Sequence, residues 1–455
     1  MSHQIDTNRP HYRLIRYLIS NMVKLFYPTI EIEGKANLPH NEPTIFVLNH
    51  PNGLLDPMIL MVALKEPVSF LAKSTLFGYP GLRAFIQAFG AFPIFRKQDD
   101  GLRGGATGDA AERNEQTFAR CRALLRDKGK LALFPEGITH SKPELVPLRT
   151  GAARIALTTE SENDWKVGVK VVPVGLWYRQ KMQFRSSVLL VVGEPFTISE
   201  HRNAYEQDER QTVHTVTDEI EAGLDEVVLQ AENSYVLGAL PVVASWTVPE
   251  GHKAGLQEHH AWTETLLETY QALQKQDPKR LTEITNKAQR YADTLQTLGI
   301  DDPWVLEFPF MKQRRVVYLI LALCLSLPFA LLGWLLSYWS YRLTRPVVLK
   351  LVGKDTTQIG TFKLIGGALF VLLGWLIEAI LFGLWLGPIW GILLFVTVPA
   401  LAYTALRWGE GFNNLRTLIS GDWLRLSRKR LSQSLKEQRR ELAEQIMDAV
   451  QVTSS

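Results

Sequence analysis

Residues 44–57 read TIFVLNHPNGLLDP. Thr44–Leu48 is an apolar, β-prone run. Asn49-His50-Pro51-Asn52-Gly53 is turn-rich, and an apolar helical pattern starts at Leu54-Leu55-Asp56-Pro57. Strand, loop and helix in that order predict an α/β unit, whose strand-end loops are where reactive groups are displayed. A histidine there can take a proton from an alcohol near neutral pH, and a neighbouring carboxylate can orient its ring and stabilise the imidazolium. A structural reading competes: Asp56 before Pro57 suits a helix N-cap with proline at the first helical position. Both could hold together. Taken alone, a His and an Asp six residues apart favour the structural reading.

Further along the chain the same alternation recurs. β-rich runs at Val68–Leu71, Leu131–Phe134, Lys170–Leu176 and Val188–Val192 are separated by helical patterns, so residues 28–235 read as one α/β domain, a mixed sheet flanked by helices. A second strand end carries Phe134-Pro135-Glu136-Gly137, followed by Ile138-Thr139-His140-Ser141-Lys142. Arg149 and Thr150 stand where a helix over 151–158 begins, and exposed N–H groups beside a guanidinium suit a phosphate. Arg96-Lys97, after the short run Ala91–Phe95, offer either more positive charge or solvated surface. Gly101–Gly108 (GLRGGATG) lacks the Lys-Ser/Thr of a P-loop and reads as a loop.

Four blocks in this order, NHPNGLLD (49–56), AFPIFR (91–96), FPEGITHS (134–141) and VVPVGL (171–176), resemble the glycerolipid acyltransferase superfamily, the glycerol-3-phosphate and lysophosphatidate acyltransferases. The usual pattern has four residues between the His and the Asp, and here five intervene. The longer spacing is similar to the branch holding the fungal glycerol-3-phosphate/dihydroxyacetone-phosphate acyltransferases. That branch also has an Arg-x-Gln-Asp block, matched by Arg96, Gln98 and Asp99, and a step matched by His140 and Leu145–Gly151.

The resemblance implies roles. His50 would be the general base and Asp56 its partner. Arg96, Glu136, Gly137 and Arg149 would form the acceptor and phosphate side, with Asn49, Pro135, His140 and Lys142 in support. Val171, Pro173 and Val174 would line the acyl side. A deprotonated hydroxyl can attack a thioester directly, so the scheme uses no metal and no bound cofactor. The acyl thioester, acyl-CoA or acyl carrier protein, enters as co-substrate. Transfer to glycerol 3-phosphate or dihydroxyacetone phosphate is the expected reaction. The alternatives are acylation of lysophosphatidate and a catalytically inactive membrane scaffold or lipid-binding protein.

Whole-chain averages hide where such an enzyme would sit. The 455 residues hold 50 Lys+Arg against 46 Asp+Glu, a net charge of +4, which excludes a disordered chain. With two cysteines, Cys121 and Cys324 in unlike surroundings, a disulfide scaffold is excluded too. Nothing points to nucleic acid, and the polar start Met1–Pro10 does not read as a signal peptide. Yet Val316–Tyr338 has no charge and Leu364–Leu406 has one, Glu378. About 20 apolar residues cross a bilayer, so the second run holds two spans, 364–384 and 386–406, turning at Gly387-Pro388. Glu378 would be a residue packed against protein, or a functional group facing a cavity.

Residues 407–440 carry nine Lys+Arg against three acids. Basic flanks at Arg314-Arg315, at 342–363 and in this tail place all three on the cytoplasmic face. That favours a hairpin at 364–406 with 316–338 dipping in and returning at Pro328. The chain thus divides into an amphipathic helix on a membrane or on the next domain (1–27), the α/β domain (28–235), a helical connector (236–312), the membrane-embedded segments (313–408) and a basic amphipathic helix (409–455). In this last part Leu424, Leu431, Leu435, Leu442 and Ile446 form one stripe for lipid or a partner. The predicted product is an integral membrane protein with its catalytic domain on the cytoplasmic face and membrane lipids as partners.

Overall fold

The computed structural model of the chain describes residues 10–78, 83, 86–87, 90–96, 110–181, 183–247, 255–300, 313–352 and 359–454. Lys97, Gln98, Asp99, Gly101–Gly108, the start at 1–9 and the connector's end at 301–312 lie outside the described residues. The chain divides into two compact units, Met1–Leu237 with Lys354–Leu364, and Gly238–Gly353 with Ile365–Ser455.

The first unit opens with helix α1 (Pro10–Phe26) and strand β1 (Thr29–Glu33). It continues through β2 (Thr44–Leu48), α2 (Leu55–Leu64), β3 (Ser69–Lys73), β4 (Ala91–Ile94), α3 (Ala110–Arg126) and β5 (Lys130–Leu133). After these come α4 (Gly151–Ser161), β6 (Lys170–Tyr178), β7 (Ser187–Val192), β8 (Phe196–Thr197), α5 (Arg202–Gln207) and α6 (Glu209–Val227). One eight-stranded sheet runs β1-β7-β6-β2-β5-β3-β4, with β8 beside β6. The pairings of β2 with β5 and β6, of β3 with β4 and β5, and of β1 with β7 are parallel; β6 meets β7 and β8 antiparallel. This is the mixed α/β sheet that the sequence predicts.

The five residues of β2 are all buried, as expected of a central strand covered on both faces. Ile45 and Val47 join a core with Leu124, Leu125, Leu131, Ile155, Leu157, Val216 and Ile220, drawn from α3, β5, α4 and α6. On α1, which packs on α2, the stripe Ile19, Val23 and Phe26 is buried while Leu14, Tyr17, Leu18 and Leu25 stay exposed.

The second unit is helical. After α7 (Ser234–Thr247) come α8 (Leu256–Gln276) and α9 (Pro278–Leu298), broken at Asp277-Pro278 as the sequence predicts. Asp277 caps α9, its carboxylate accepting from the Arg280 N–H at 3.1 Å. Three long helices follow, α10 (Gln313–Val352), α11 (Ile359–Leu386) and α12 (Pro388–Ser427), then α13 (Lys429–Ser454). Val316–Thr344, Gly366–Leu386 and Pro388–Ser420 are long and apolar enough to cross a membrane. The turn at Gly387 is as expected: its φ of 106° is a conformation glycine takes without a Cβ clash.

Two expectations are corrected here. The dip at Pro328 is absent: α10 is a single 40-residue helix with Pro328 inside it. A proline in a helix removes one hydrogen bond but need not end the helix when packing holds both sides. Here Gly333 lies against the Leu401 backbone and the Trp408 indole N–H donates to Leu323 O at 2.9 Å, so α12 clasps α10 on both sides of the proline. The tail stripe is also corrected. Leu435, Leu442 and Ile446 are buried as α13 packs against α8 and α9, so the chain itself supplies the stripe's partner.

Candidate active site

The predicted residues collect at the C-terminal rim of the parallel strands, where open α/β sheets bind ligands. Beyond Leu48 the backbone leaves the β2–β6 ladder, and Asn49 continues it with its side chain. The Asn49 carboxamide accepts from Leu176 N–H at 2.8 Å and donates to Leu176 O at 3.3 Å. That clamp fixes where His50 departs from the sheet. Asn114 on α3 does the same at the end of β4, exchanging two 2.8 Å hydrogen bonds with the Phe95 backbone and so fixing the base of Arg96.

His50 Nδ1 lies 2.9 Å from Asp56 Oδ2. Asp56 is fully buried, whereas His50 keeps 18% of its side chain exposed. The same Oδ2 accepts from Asn52 N–H at 2.8 Å, and Oδ1 accepts from the Tyr178 hydroxyl. With the carboxylate as acceptor, Nδ1–H is the donor and Nε2 is left as the acceptor of the neutral ring. The His50 ring stacks on Phe134, with centroids 4.1 Å apart. The N-cap expectation for Asp56 is corrected: α2 begins at Leu55 with Leu54 as N-cap, and Asp56 sits in the first turn. Its carboxylate is taken by tertiary donors, one of them 122 residues away, which local reading cannot see.

Glu136 is also buried, and both its oxygens are spent on the protein. Oε1 accepts from His50 N–H at 3.0 Å; Oε2 meets His140 Nε2 and Val146 N–H, the latter at 3.3 Å. His140 N–H donates to His50 O, and Lys142 N–H donates to His140 Nδ1 at 3.1 Å. Glu136, expected on the acceptor and phosphate side, therefore ties the His50 loop to the 140–146 loop. The Lys142 side chain is exposed and contributes through its backbone.

Gly137, at φ +70°, turns the chain after Glu136, and a Cβ there would lie 3.3 Å from Arg149 Cγ. Arg96 Nη1 reaches to 3.5 Å from Gly137 O. Buried Pro135 accepts from Arg149 N–H at 2.7 Å, which seats Arg149 just before α4. Two guanidinium groups thus flank one exposed glycine, on the same rim as His50.

Val171, Pro173 and Val174 lie elsewhere. Val171 pairs with Ile45 at the far end of β2 and belongs to the core, about 16 Å of strand from His50. Pro173 packs against Gly193 and Gly223, and Val174 pairs with Leu48 inside the sheet. The acyl-side expectation is corrected accordingly: β6 reaches the site through Leu176 and Tyr178. Among the described residues no three His, Cys, Asp or Glu side chains are grouped to hold a metal ion.

Comparison with known proteins adds family matches. The family described as Acyltransferase matches residues 29–177, enclosing the whole rim, and the family described as Glycerol-3-phosphate acyltransferase 2 C-terminal domain matches residues 247–454. The chain is thus similar to acyltransferases over residues 29–177 and to a glycerol-3-phosphate acyltransferase C-terminal domain over residues 247–454. An uncharacterized acyltransferase of Schizosaccharomyces pombe is 25% identical over 71% of this chain, which spans 59% of that relative's length. Glycerol-3-phosphate O-acyltransferase 1 of Saccharomyces cerevisiae is 23% identical, aligned with 98% of this chain and 71% of its own length. Glycerol-3-phosphate O-acyltransferase 2 of the same yeast is 29% identical over 48% of this chain and 30% of its own. Among solved structures, the 1-acyl-sn-glycerophosphate acyltransferase of Thermotoga maritima is 21% identical, covering 48% of this chain and 83% of that one, with a TM-score of 0.33.

Four residues around the His50–Asp56 pair were not legible in the sequence: Tyr27, Asn52, Tyr178 and Lys181. Asn52 is buried and donates to the Tyr27 hydroxyl at 3.0 Å, and Tyr27 donates to Lys181 O at 2.9 Å. Lys181 Nζ donates to Pro51 O at 2.9 Å and to Ser141 Oγ at 2.7 Å. Burial pulls the Lys181 ammonium below the ordinary lysine range, and the nearby Asp56 charge opposes that. Tyr178 and Lys181 stand just past the VVPVGL block, and only their position at a strand end signals them.

Proposed function

We propose that the protein transfers a fatty acyl group from an acyl thioester to a hydroxyl of glycerol 3-phosphate. The observation that carries this is the buried Asp56 paired with a partly exposed His50 on the rim that also holds Arg96 and Arg149. His50 Nε2 accepts the hydroxyl proton as the oxygen attacks the thioester carbonyl. Asp56 stabilises the imidazolium, a role worth about 10²–10⁴-fold for a general base and its partner. The tetrahedral oxyanion collapses, the C–S bond breaks, and the departing thiolate takes the proton from His50. The new bond is a C–O ester. Arg96 and Arg149 hold the acceptor phosphate. No resident metal or cofactor enters the scheme, and acyl-CoA or acyl carrier protein supplies the thioester.

Three apolar helices hold the enzyme in a membrane, with the catalytic unit on the cytoplasmic face. The exposed Leu14, Tyr17, Leu18 and Leu25 stripe of α1, beside Arg13, Arg16 and Lys24, suits an anionic lipid surface. The names of the two yeast relatives support glycerol 3-phosphate as acceptor. Purified protein assayed with an acyl-CoA and each of glycerol 3-phosphate, dihydroxyacetone phosphate and lysophosphatidate tests the reading. The highest kcat/KM is expected on glycerol 3-phosphate. Product from lysophosphatidate alone would overturn the acceptor assignment, and no product from any acceptor would favour an inactive scaffold.

A further inference from the structure

Asp56 receives more donors than a partner for one histidine needs. Its Oδ2 takes His50 Nδ1–H and Asn52 N–H; its Oδ1 takes the hydroxyl of Tyr178, the last residue of β6. The Tyr178 ring is fixed edge-on to Tyr27, with centroids 5.5 Å apart, and Tyr27 is itself held by Asn52 and Lys181. Burial first, then the charge of Asp56 and the neighbouring Tyr27, push the Tyr178 phenol well above its usual range, with Asn52 partly opposing. Such a phenol stays protonated at any working pH, so toward the carboxylate it can only donate.

We propose that Tyr178 is a positioning residue for the acyl transfer: its hydroxyl fixes the rotation of the Asp56 carboxylate, so that Oδ2 meets His50 Nδ1, and it takes up part of the negative charge that His50 senses. The inference rests on the general-base reading of His50. Two oxygens with separate donors leave the carboxylate one orientation. Without the hydroxyl, Oδ1 is a buried acceptor deprived of its donor and the group is drawn to rotate, and displacements of about 1 Å at a reacting pair cost roughly 10²-fold. The charge on Oδ2 also rises, which favours the protonated form of His50.

Charged and titratable groups face this pair from every side. Asp56 lies on α2 and Tyr178 on β6; Tyr27 follows α1, and Lys181 follows β6. Glu136 and His140 lie beyond β5, and Arg96 and Arg149 stand at Gly137. Tyr178→Phe changes no formal charge among them, so a shift in the pH profile reports the lost hydrogen bond.

Kinetics of wild type, Tyr178→Phe, Asp56→Asn and the double variant over pH 5–9, with glycerol 3-phosphate and an acyl-CoA, test this. Tyr178→Phe is expected to lower kcat by about ten- to a hundredfold, leave the acceptor KM within about twofold, and move the acid limb of kcat/KM to higher pH. In the Asp56→Asn background it should add less than about twofold, because the two residues act through one group. Full kcat with an unmoved acid limb, or a loss that adds in full to that of Asp56→Asn, would overturn the proposal.

Thermal unfolding shows whether Tyr178→Phe folds. If it does not, 3-fluorotyrosine installed at 178 is a stronger donor that keeps the shape, and it should move the acid limb to lower pH. An unmoved limb there overturns the proposal equally. An active His50→Ala enzyme would instead refute the base reading, so the two failures are distinguishable.

Discussion

Glu136 shows how far a side chain's job depends on what surrounds it. Its motif suggests an acid aimed at substrate, yet its oxygens accept from His50 N–H, Val146 N–H and His140. Glu136→Gln replaces one acceptor with a donor and leaves three N–H groups competing for a single oxygen. We expect a stability loss of about 1–3 kcal/mol and a lower kcat with the acceptor KM unchanged, checked by thermal unfolding and steady-state kinetics. A raised KM with unchanged stability would return Glu136 to the substrate. Arg96 is expected to behave in the opposite way: Arg96→Ala removes a charge-assisted bond to phosphate and should raise the glycerol 3-phosphate KM about 10–100-fold with kcat little changed. A normal KM would remove Arg96 from the site.

His50, Asp56, Arg96 and Arg149 were legible because local pattern places them at strand ends. Tyr27, Asn52, Tyr178 and Lys181 were not. Their partners lie up to 154 residues away, and nothing in a tyrosine's neighbours in sequence announces a distant carboxylate.

At the scale of elements, helical periodicity identified a buried stripe on α13 but not what buries it. Apolar spacing reports that a face is covered, and lipid, a partner and the chain's own helices satisfy it alike. The structure supplies α8 and α9, and even Arg439 is buried there, donating to Trp246 O at 2.9 Å. This helical body is expected to lose stability in acid. His260 on α8 is lowered from 6.5 to about 4, first by burial and then by the charge of His259. Between those values the unfolded chain binds a proton that the folded one refuses. Stability is therefore complete above about pH 6.5 and falls as the pH drops toward 4, by at most about 3 kcal/mol. Hydrogen exchange of α8 amides should show protection decreasing from pH 7.5 to pH 5, and His260→Leu should lessen that decrease. Equal opening free energies at both pH values would contradict this. Pro328 carries the converse lesson: a helix breaker by local rule, it is absorbed in α10 because α12 packs on both sides of it.

For the whole molecule, a net charge of +4 conceals a basic tail and two apolar runs. Those runs become three membrane-length helices between α9 and α13. Because α13 packs on α8 and α9, the two flanks of the apolar segment are expected on one side of the membrane. Cysteines introduced as Lys279→Cys on α9 and Gln433→Cys on α13, in a background lacking Cys121 and Cys324, should react with an impermeant maleimide from the same side of sealed vesicles. Labelling from opposite sides would contradict the placement of α13.

His50 as the base of a glycerol 3-phosphate acyltransferase is tested most directly by acyl transfer by purified His50→Ala protein in lipid. We expect kcat to fall by about 10³-fold or more, while membrane association, thermal unfolding and the glycerol 3-phosphate KM of the residual activity stay near wild type. Transfer at the wild-type rate by that variant would contradict it.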